Sequence, residues 1–420
     1  MRVPRALTSL RNYNFRLFWF GQLISLIGTW MQAVGQAWLV LKLSNSPLAL
    51  GTVAALQFLP VTILTLFAGV IVDRLPKRRM LLVTQSTAMA QAFVLAVLVS
   101  TNQVQLWHVY VLAAVLGLVN AFDNPTRQSF VIEMVGREDV VNAVALNSTL
   151  FNTARIVGPA VGGVLIATIG LSECFYVNAF SFIAVLIGLL LMRESQLHAP
   201  RHRPQGHILR QLGEGLQYAA RTPAVLVIVI LMGTLGTFGY NFNTVLPLLA
   251  KNALGVDAAG YGALVSAMGV GSLVAALVLA NSGRVTTRRL FLGAAGFSLL
   301  LGAVAASRWY PLSLAILLPL GFASILFTTG ANTTLQLEVP DTLRGRVMSL
   351  YTLLFLGSTP IGGLVTGFLA EQFGIQWTLA AEAAICAAGV VAAAIYWLGV
   401  VRRSAPPREV VATPTGGDGS

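Results

Sequence analysis

Residues 174–192 read CFYVNAFSFIAVLIGLLLM, nineteen positions without a single charge. A helix that crosses the hydrocarbon core of a bilayer consumes about 20 apolar residues, so this stretch has the length of a membrane span. Working outward, comparable runs occupy about 17–41, 48–72, 80–100, 106–124 and 141–169 before it. After a polar break they resume at about 223–249, 259–281, 290–306, 311–330, 347–370 and 376–400. The order is six, a break, and six. In lipid every backbone polar group needs a partner within its own segment, which makes each run a helix. A membrane barrel would alternate with period two, and these runs do not.

Composition agrees. Of the 420 residues 56% are hydrophobic and only 10% are charged, whereas a soluble domain has about a quarter of its residues charged. Disorder is excluded too, because it needs low hydrophobicity. At roughly 30–35 residues per helix and connector, the length suits about a dozen spans with little room for a soluble domain. The net charge of +12 is spread over short connectors rather than gathered on one face, so no nucleic-acid surface is implied. If the N-terminus is cytoplasmic, 23 of the 27 Lys and Arg fall on the inner side and only Lys42, Lys251 and Arg308 on the outer side. That bias orients both termini to the cytoplasm. The first apolar run is too long for a cleaved signal and reads as the first span. Cys174 and Cys386 cannot make a disulfide framework and read as packing residues.

The chain divides into a six-helix bundle over 1–195, a linker over 196–222, a second bundle over 223–402 and a Pro/Gly-rich, disordered tail over 403–420. Residues 208–218 could form a short amphipathic surface helix within the linker. His198, His202 and His207 lie in this region without acidic or thiol ligands at helical spacing, so no metal site is expected.

The halves echo each other. Gly158-Pro159 with Gly162-Gly163 returns as Thr359-Pro360 with Gly362-Gly363, the glycine pairs 200 residues apart. Glu133 with Arg137 is echoed by Glu338 with Arg344 and Arg346, and Arg78-Arg79 by Arg288-Arg289. An even number of spans per half gives both copies the same topology. Parallel repeats of this kind suggest two bundles facing a central cavity and rocking about it.

Two stretches carry a mechanism. Between spans two and three stands Gly69-Val-Ile-Val-Asp73-Arg74-Leu-Pro76-Lys77-Arg78-Arg79. Gly69 would let a neighbouring helix approach closely, and Asp73 at the membrane edge could latch the other bundle; alternatively the bases only fix topology. In span five, Ala154-Arg155-Ile-Val-Gly158-Pro159-Ala-Val-Gly162-Gly163 puts Gly158 and Gly162 on one helix face as a packing groove. Pro159 removes a helical hydrogen bond.

The first stretch resembles the hallmark loop of the major facilitator superfamily, with Pro76 where the family usually has Gly. In the second half Gly283-Arg284 replaces its Asp-Arg pair, so no symmetric latch is expected there. The second stretch resembles the family's antiporter motif, which is associated with exporters, with Ala154 in the first Gly position. Asp123-Asn124-Pro125-Thr126-Arg127-Gln128 with Glu133, the N-terminal Leu10-Arg-Asn-Tyr-Asn14-Phe15-Arg16 and Arg344-Gly-Arg346 narrow the resemblance to bacterial exporters related to the enterobactin exporter and to transmembrane secretion effectors. The resemblance covers about 7–400. It implies a monomeric secondary transporter of the bacterial cytoplasmic membrane, working by alternating access without a cofactor.

Charges inside spans cost about 2.5–3.5 kcal/mol each and need a reason. Asp123, Arg155 and Glu382 stand out as proton-coupling candidates. Asp123 could pair with Arg155 on the adjacent antiparallel span, releasing it on protonation; a permanent structural pair is the alternative. Arg155 could also attract an anionic substrate. For Glu382 the alternative is packing. Polar cavity candidates are Gln22, Gln32 and Gln36 interleaved with Trp30 and Trp38, then Asn152, Tyr240, Asn241 and Asn243, and Thr328 and Asn332. Such faces with aromatic neighbours suit an amphipathic ligand, although hydrogen bonds between helices would use the same residues.

The reading is therefore an exporter of small amphipathic, drug- or siderophore-like molecules, driven as a proton antiporter. An uptake permease of the same fold is the alternative. No phosphate-binding G-x-x-x-x-G-K-[ST] loop is present, so the chain carries no ATP motor. A membrane enzyme would need catalytic groups gathered at one face, and His108 stands alone outside. A sensor or scaffold would need an attached domain, and the longest segment outside the spans is about 30 residues.

Overall fold

The computed structural model describes residues 5–198, 208–282 and 286–404. Among them there are no strands, and twelve stretches are helical and apolar enough to cross a membrane. The first six spans are α1 (Tyr13–Leu43), α2 (Pro47–Arg74), α3 (Lys77–Ser100), α4 (Leu106–Val135), α5 (Val140–Thr168) and α6 (Leu171–Leu190). A short helix, α7 (Ile208–Arg221), precedes the second six. Span seven is divided into α8 (Pro223–Phe238), α9 (Phe242–Leu248) and a π turn at Leu249–Ala253. Spans eight to ten are α10 (Ala258–Ser282), α11 (Thr287–Ala306) and α12 (Tyr310–Glu338). Span eleven comprises α13 (Asp341–Leu356) and α14 (Thr359–Phe373), and span twelve is α15 (Ile375–Ser404). Of the residues expected as a disordered tail, 403–404 are the end of α15; those from 405 onward, the Gly283-Arg284 pair, His202 and His207 lie outside the described residues.

Several helices overrun their apolar runs. Helix α4 continues to Val135, where hydropathy alone ends the run near 124, because 125–135 still buries Thr126, Phe130, Val131 and Met134 against the first bundle. Phe130 meets Phe18 edge-on with centroids 6.1 Å apart. Local signals set the other ends. Ser46 caps α2 by accepting from the Ala49 amide at 3.2 Å, with Pro47 in the first turn. The turns α5–α6 and α14–α15 pass through Gly170 at φ 140° and Gly374 at φ 80°, conformations that favour glycine. These turns occupy equivalent places in the two halves.

Within the first half α1 packs on α5 and α6, α2 on α4, and α3 on α4 and α6. Within the second, α10 packs on α12, α11 on α12 and α15, and α8 on α15. The start of α1, the end of α15 and α7 share one end of the molecule, the proximal end; the α1–α2 turn marks the distal end. Two extensive contacts join the halves, α2 with α14 and α5 with α10. Helix α2 packs along α14, the distal part of span eleven, and barely touches α13, the proximal part. The halves are closed together distally and part proximally.

Glycines make the distal seam. A side chain at Gly51 would begin 2.3 Å from the Gly363 carbonyl, and one at Gly262 would begin 2.3 Å from the Pro159 carbonyl. Neither tolerates a methyl group, so backbones approach as they do at other small-residue helix crossings in membranes. Beside the seam Trp38 of α1 stacks on Tyr261 of α10 with centroids 6.4 Å apart and rings within 17° of parallel. Proximally, α7 is held to α13 by an ion pair between Glu214 and Arg346.

Candidate functional site

Between the halves, beside the distal seam, lies a cavity of about 160 Å³. Helices α1, α2 and α4 contribute Trp30, Gln36, Gln57 and Asn120 to its wall, and Asn243 and Tyr261 come from the second half. Asn243 is exposed in the middle of span seven because it faces this space. Gln57, Asn120 and Tyr261 were not among the residues expected from sequence. For Gln57 a signal existed, since it is the lone carboxamide in an otherwise apolar run, where an unpartnered polar group is costly.

The expected cavity residues divide. Gln36 lines the cavity and is 5% exposed. Gln32 also reaches the wall, but its carboxamide is committed: it accepts from Asn178 Nδ2 at 2.6 Å and donates to Gln91 at 3.0 Å, tying α1 to α6 and α3. Gln22 is buried, and its Nε2 has no hydrogen-bond partner among the described residues. Asn152 turns back to donate to the Ser148 carbonyl at 2.8 Å on its own helix. Tyr240 sits within the second half: it stacks on Phe297 at 4.9 Å and donates its hydroxyl to the Ser324 carbonyl at 3.0 Å. Asn241 is buried against Gly362 and donates to the Thr237 carbonyl at 2.7 Å. Thr328 donates to the Ser324 carbonyl at 2.9 Å, and Asn332 accepts from Gln336 one turn on.

The charged candidates are arranged differently from the expected pairing. Asp123 is 1% exposed and forms an ion pair with Arg127 of its own helix, not with Arg155. Its other oxygen accepts from the Thr84 hydroxyl at 2.7 Å and from Gln85 Nε2 at 2.8 Å, so α3 closes the site. The reason is local, since residues four apart on a helix face each other. Arg155 is partly exposed and lies close enough to Tyr240 of the second half for an electrostatic interaction. Glu382 of α15 is 1% exposed and accepts a hydrogen bond from the Thr366 hydroxyl of α14.

The loop between spans two and three serves the first half. Lys77 Nζ pairs with Glu133 at 2.7 Å. Arg78 caps the end of α6, donating to the Leu189 and Leu190 carbonyls at 2.7 and 2.9 Å, and pairs with Glu194. Arg74 is exposed at the end of α2. The expectations for Gly69 and Asp73 lie outside the residues whose side chains are described.

The glycines of span five divide by direction. A methyl on Gly158 would meet the Trp30 Cβ at 2.5 Å and one on Gly162 the Met31 Cγ at 2.8 Å, both on α1. One on Gly163 would meet the Ala258 carbonyl of α10 at 2.7 Å. The second half repeats the pattern: Gly362 faces span seven, and Gly363 faces Ala54 and Gly51 of α2. Pro159 leaves the Arg155 carbonyl without its helical donor, and Gly269 of α10 packs near that oxygen. The next carbonyl, that of Ile156, accepts from Ser266 at 2.8 Å.

Polar contacts between helix ends and charges complete the distal closure. Glu371 of α14 accepts from the Ser46 hydroxyl at 2.6 Å and from the Leu48 amide at 2.9 Å, at the N-terminus of α2. Lys251 donates to the Leu41 carbonyl at 2.7 Å, at the C-terminus of α1.

Twelve spans in two like halves, closed at one end around a shared cavity, define a membrane transporter of the major facilitator fold. The chain belongs to the transmembrane secretion effector family, whose model matches residues 5–411. It is 26% identical over 373 residues to the "Staphyloferrin A transporter" of Staphylococcus aureus, covering 86% of this chain and 91% of that protein. It is 29% identical over 398 residues to the "Multidrug efflux pump Tap" of Mycolicibacterium fortuitum, covering 92% and 96%. Among solved structures, the nucleoside transporter NupG superposes with a TM-score of 0.71 at 13% identity, covering 94% of this chain and 99% of that one. The protein is thus a multi-pass transporter of the bacterial inner membrane.

Proposed function

We propose that the protein exports small amphipathic molecules from the cytoplasm by alternating access, as a monomeric proton antiporter. The observation that carries the reading is the cavity walled by both halves and closed at one end only. The distribution of Lys and Arg, 23 against 3, supports a cytoplasmic proximal end. The conformation described is then the one that loads from inside. Residues 1–195 and 223–402 are the two rocking units, and 196–222 links them. The names of the relatives, a staphyloferrin A transporter and a multidrug efflux pump, support export of a drug- or siderophore-like substrate.

Proton coupling needs a carboxyl that alternates in access. Among the described residues, Asp123 and Glu382 are the buried acids. Protonation of Asp123 would free Arg127, whereas Glu382 faces a neutral hydroxyl. The test is accumulation of lipophilic cations, macrolides and a catecholate siderophore in cells stripped of their own exporters. Asp123→Asn and Glu382→Gln are compared with wild type at equal membrane levels. The expected result is lower accumulation of at least one compound with wild type, restored by whichever variant removes the coupling acid. If both variants pump as wild type does, neither acid carries the proton. If no compound changes, the result counts against export, and uptake of the same compounds is the next measurement.

A further inference from the structure

We infer that the cavity beside the distal seam is a subsite for an uncharged, hydrogen-bonding ring of the substrate, a sugar-like or amide-bearing ring, and that it selects against charge on that ring. The inference rests on the transporter reading and names the chemistry its binding site accepts. Four carboxamides from four helices converge there: Gln36 of α1, Gln57 of α2, Asn120 of α4 and Asn243 of α9. None of the four makes a side-chain hydrogen bond to any described residue. Gln36 is the most telling, since it is 5% exposed and what exposure it keeps is into this space. Its neighbour Gln32 shows the contrast, with its amide fully engaged by Asn178 and Gln91.

A carboxamide both donates and accepts without charge. Four of them, held apart on separate helices, match a ligand group that offers donors and acceptors in several directions. Among the described residues no Asp, Glu, Lys or Arg lines the wall, so a carboxylate or ammonium would enter without a counter-ion and with its hydration lost. Trp30 and Tyr261 add aromatic surface for a ring to lie against. Size sets the last limit. A cavity of about 150 Å³ holds benzene, and the space here is about 160 Å³. That admits one ring, not a drug-sized molecule, whose pockets run to about 300–1,000 Å³. The rest of the substrate lies toward the open proximal side, where Arg155 is partly exposed.

The test is equilibrium binding to the full chain in lipid nanodiscs, with no gradient imposed. Two pairs of probes differ by one charge on the sugar ring: phenyl β-glucoside against phenyl β-glucuronide, and phenyl β-galactoside against phenyl β-galacturonide. Tetraphenylphosphonium serves as a cation without hydrogen-bonding groups. The neutral member of each pair should bind at least about tenfold more tightly than its anion. Gln36→Leu and Asn243→Leu should each weaken the neutral probes by about two- to tenfold, as expected for one lost hydrogen bond. Neither should weaken tetraphenylphosphonium in the same proportion. Gln36→Asn and Asn243→Gln retain a carboxamide and should recover part of the loss, which separates a lost contact from misfolding. Equal or tighter binding of the anions would overturn the inference, as would neutral probes that ignore both Leu variants or fail to bind wild type. Export reads out separately. Neutral-selective binding without gradient-driven transport would remove the antiporter reading and keep the subsite; pumping of a cation with no preference within the pairs would do the reverse.

Discussion

Gly163 and Gly363 stand at matching places in the two halves, yet a methyl group would meet different surroundings. At Gly163 it would strike the Ala258 carbonyl at 2.7 Å, a backbone atom with nowhere to go. At Gly363 its nearest neighbour is the Ala54 Cβ at 3.2 Å, which a shift of a few tenths of an ångström relieves. Gly163→Ala should therefore open the distal seam and raise labelling of a cysteine placed at Ser46 by a membrane-impermeant maleimide several-fold. Gly363→Ala should change it by less than about twofold. Cys174 and Cys386 are both buried, so background labelling is low. The groove of Gly158 and Gly162 was legible in the sequence, because residues four apart share a helix face. That Gly163 looks toward the other half was not, since a spacing gives a direction around one helix and says nothing of which neighbour stands there. Gln32 shows the same limit from the other side. In sequence it is indistinguishable from Gln36, and only the arrival of Asn178 and Gln91 makes one a tie and leaves the other facing the cavity.

Helix ends carry the distal closure as much as helix faces do. The N-terminus of α2 bears unpaired amides and partial positive charge, and the C-terminus of α1 bears carbonyls and partial negative charge. The second half meets them with the matching signs, Glu371 at the first and Lys251 at the second. Each such contact is a modest interaction at an exposed or half-exposed site, weakened by salt. Glu371→Gln and Lys251→Met should each shift the balance between distal-closed and distal-open states by about two- to fivefold, and by more together. Spin-label distances between α2 and α14 at their distal ends would read this, and an unchanged distance distribution in the double variant would rule out a latch. Helix positions were largely readable from the apolar runs. The continuation of α4 to Val135 was not, because the residues that extend it are amphipathic and gain their burial from Phe18 and its neighbours. The split of span seven was signalled only in part, by its glycines, and the π turn at Leu249–Ala253 had no sequence signature.

At the scale of the molecule, the two halves meet along α2–α14 and α5–α10, and any transport cycle has to separate them there. Gly363 lies against Ala54, a methyl placed on it falling 3.2 Å from the Ala54 Cβ. The pair Ala54→Cys with Gly363→Cys brings two Cβ atoms to within a few tenths of an ångström of disulfide geometry. Oxidation should lock the distal end and stop transport, and reduction should restore it; transport that continues in the oxidised protein would mean that the distal end does not open during the cycle. The six-and-six order and the 200-residue echo of the glycine pairs made this architecture readable in one dimension. The stack of Trp38 on Tyr261 crosses the same boundary, one ring from each half. Its consequence is optical. An indole held against a phenol in a closed seam emits differently from one released into water, so the protein carries its own reporter of distal opening. The difference spectrum between wild type and Trp38→Phe isolates that signal from the other tryptophans and follows each turnover in real time without an attached dye.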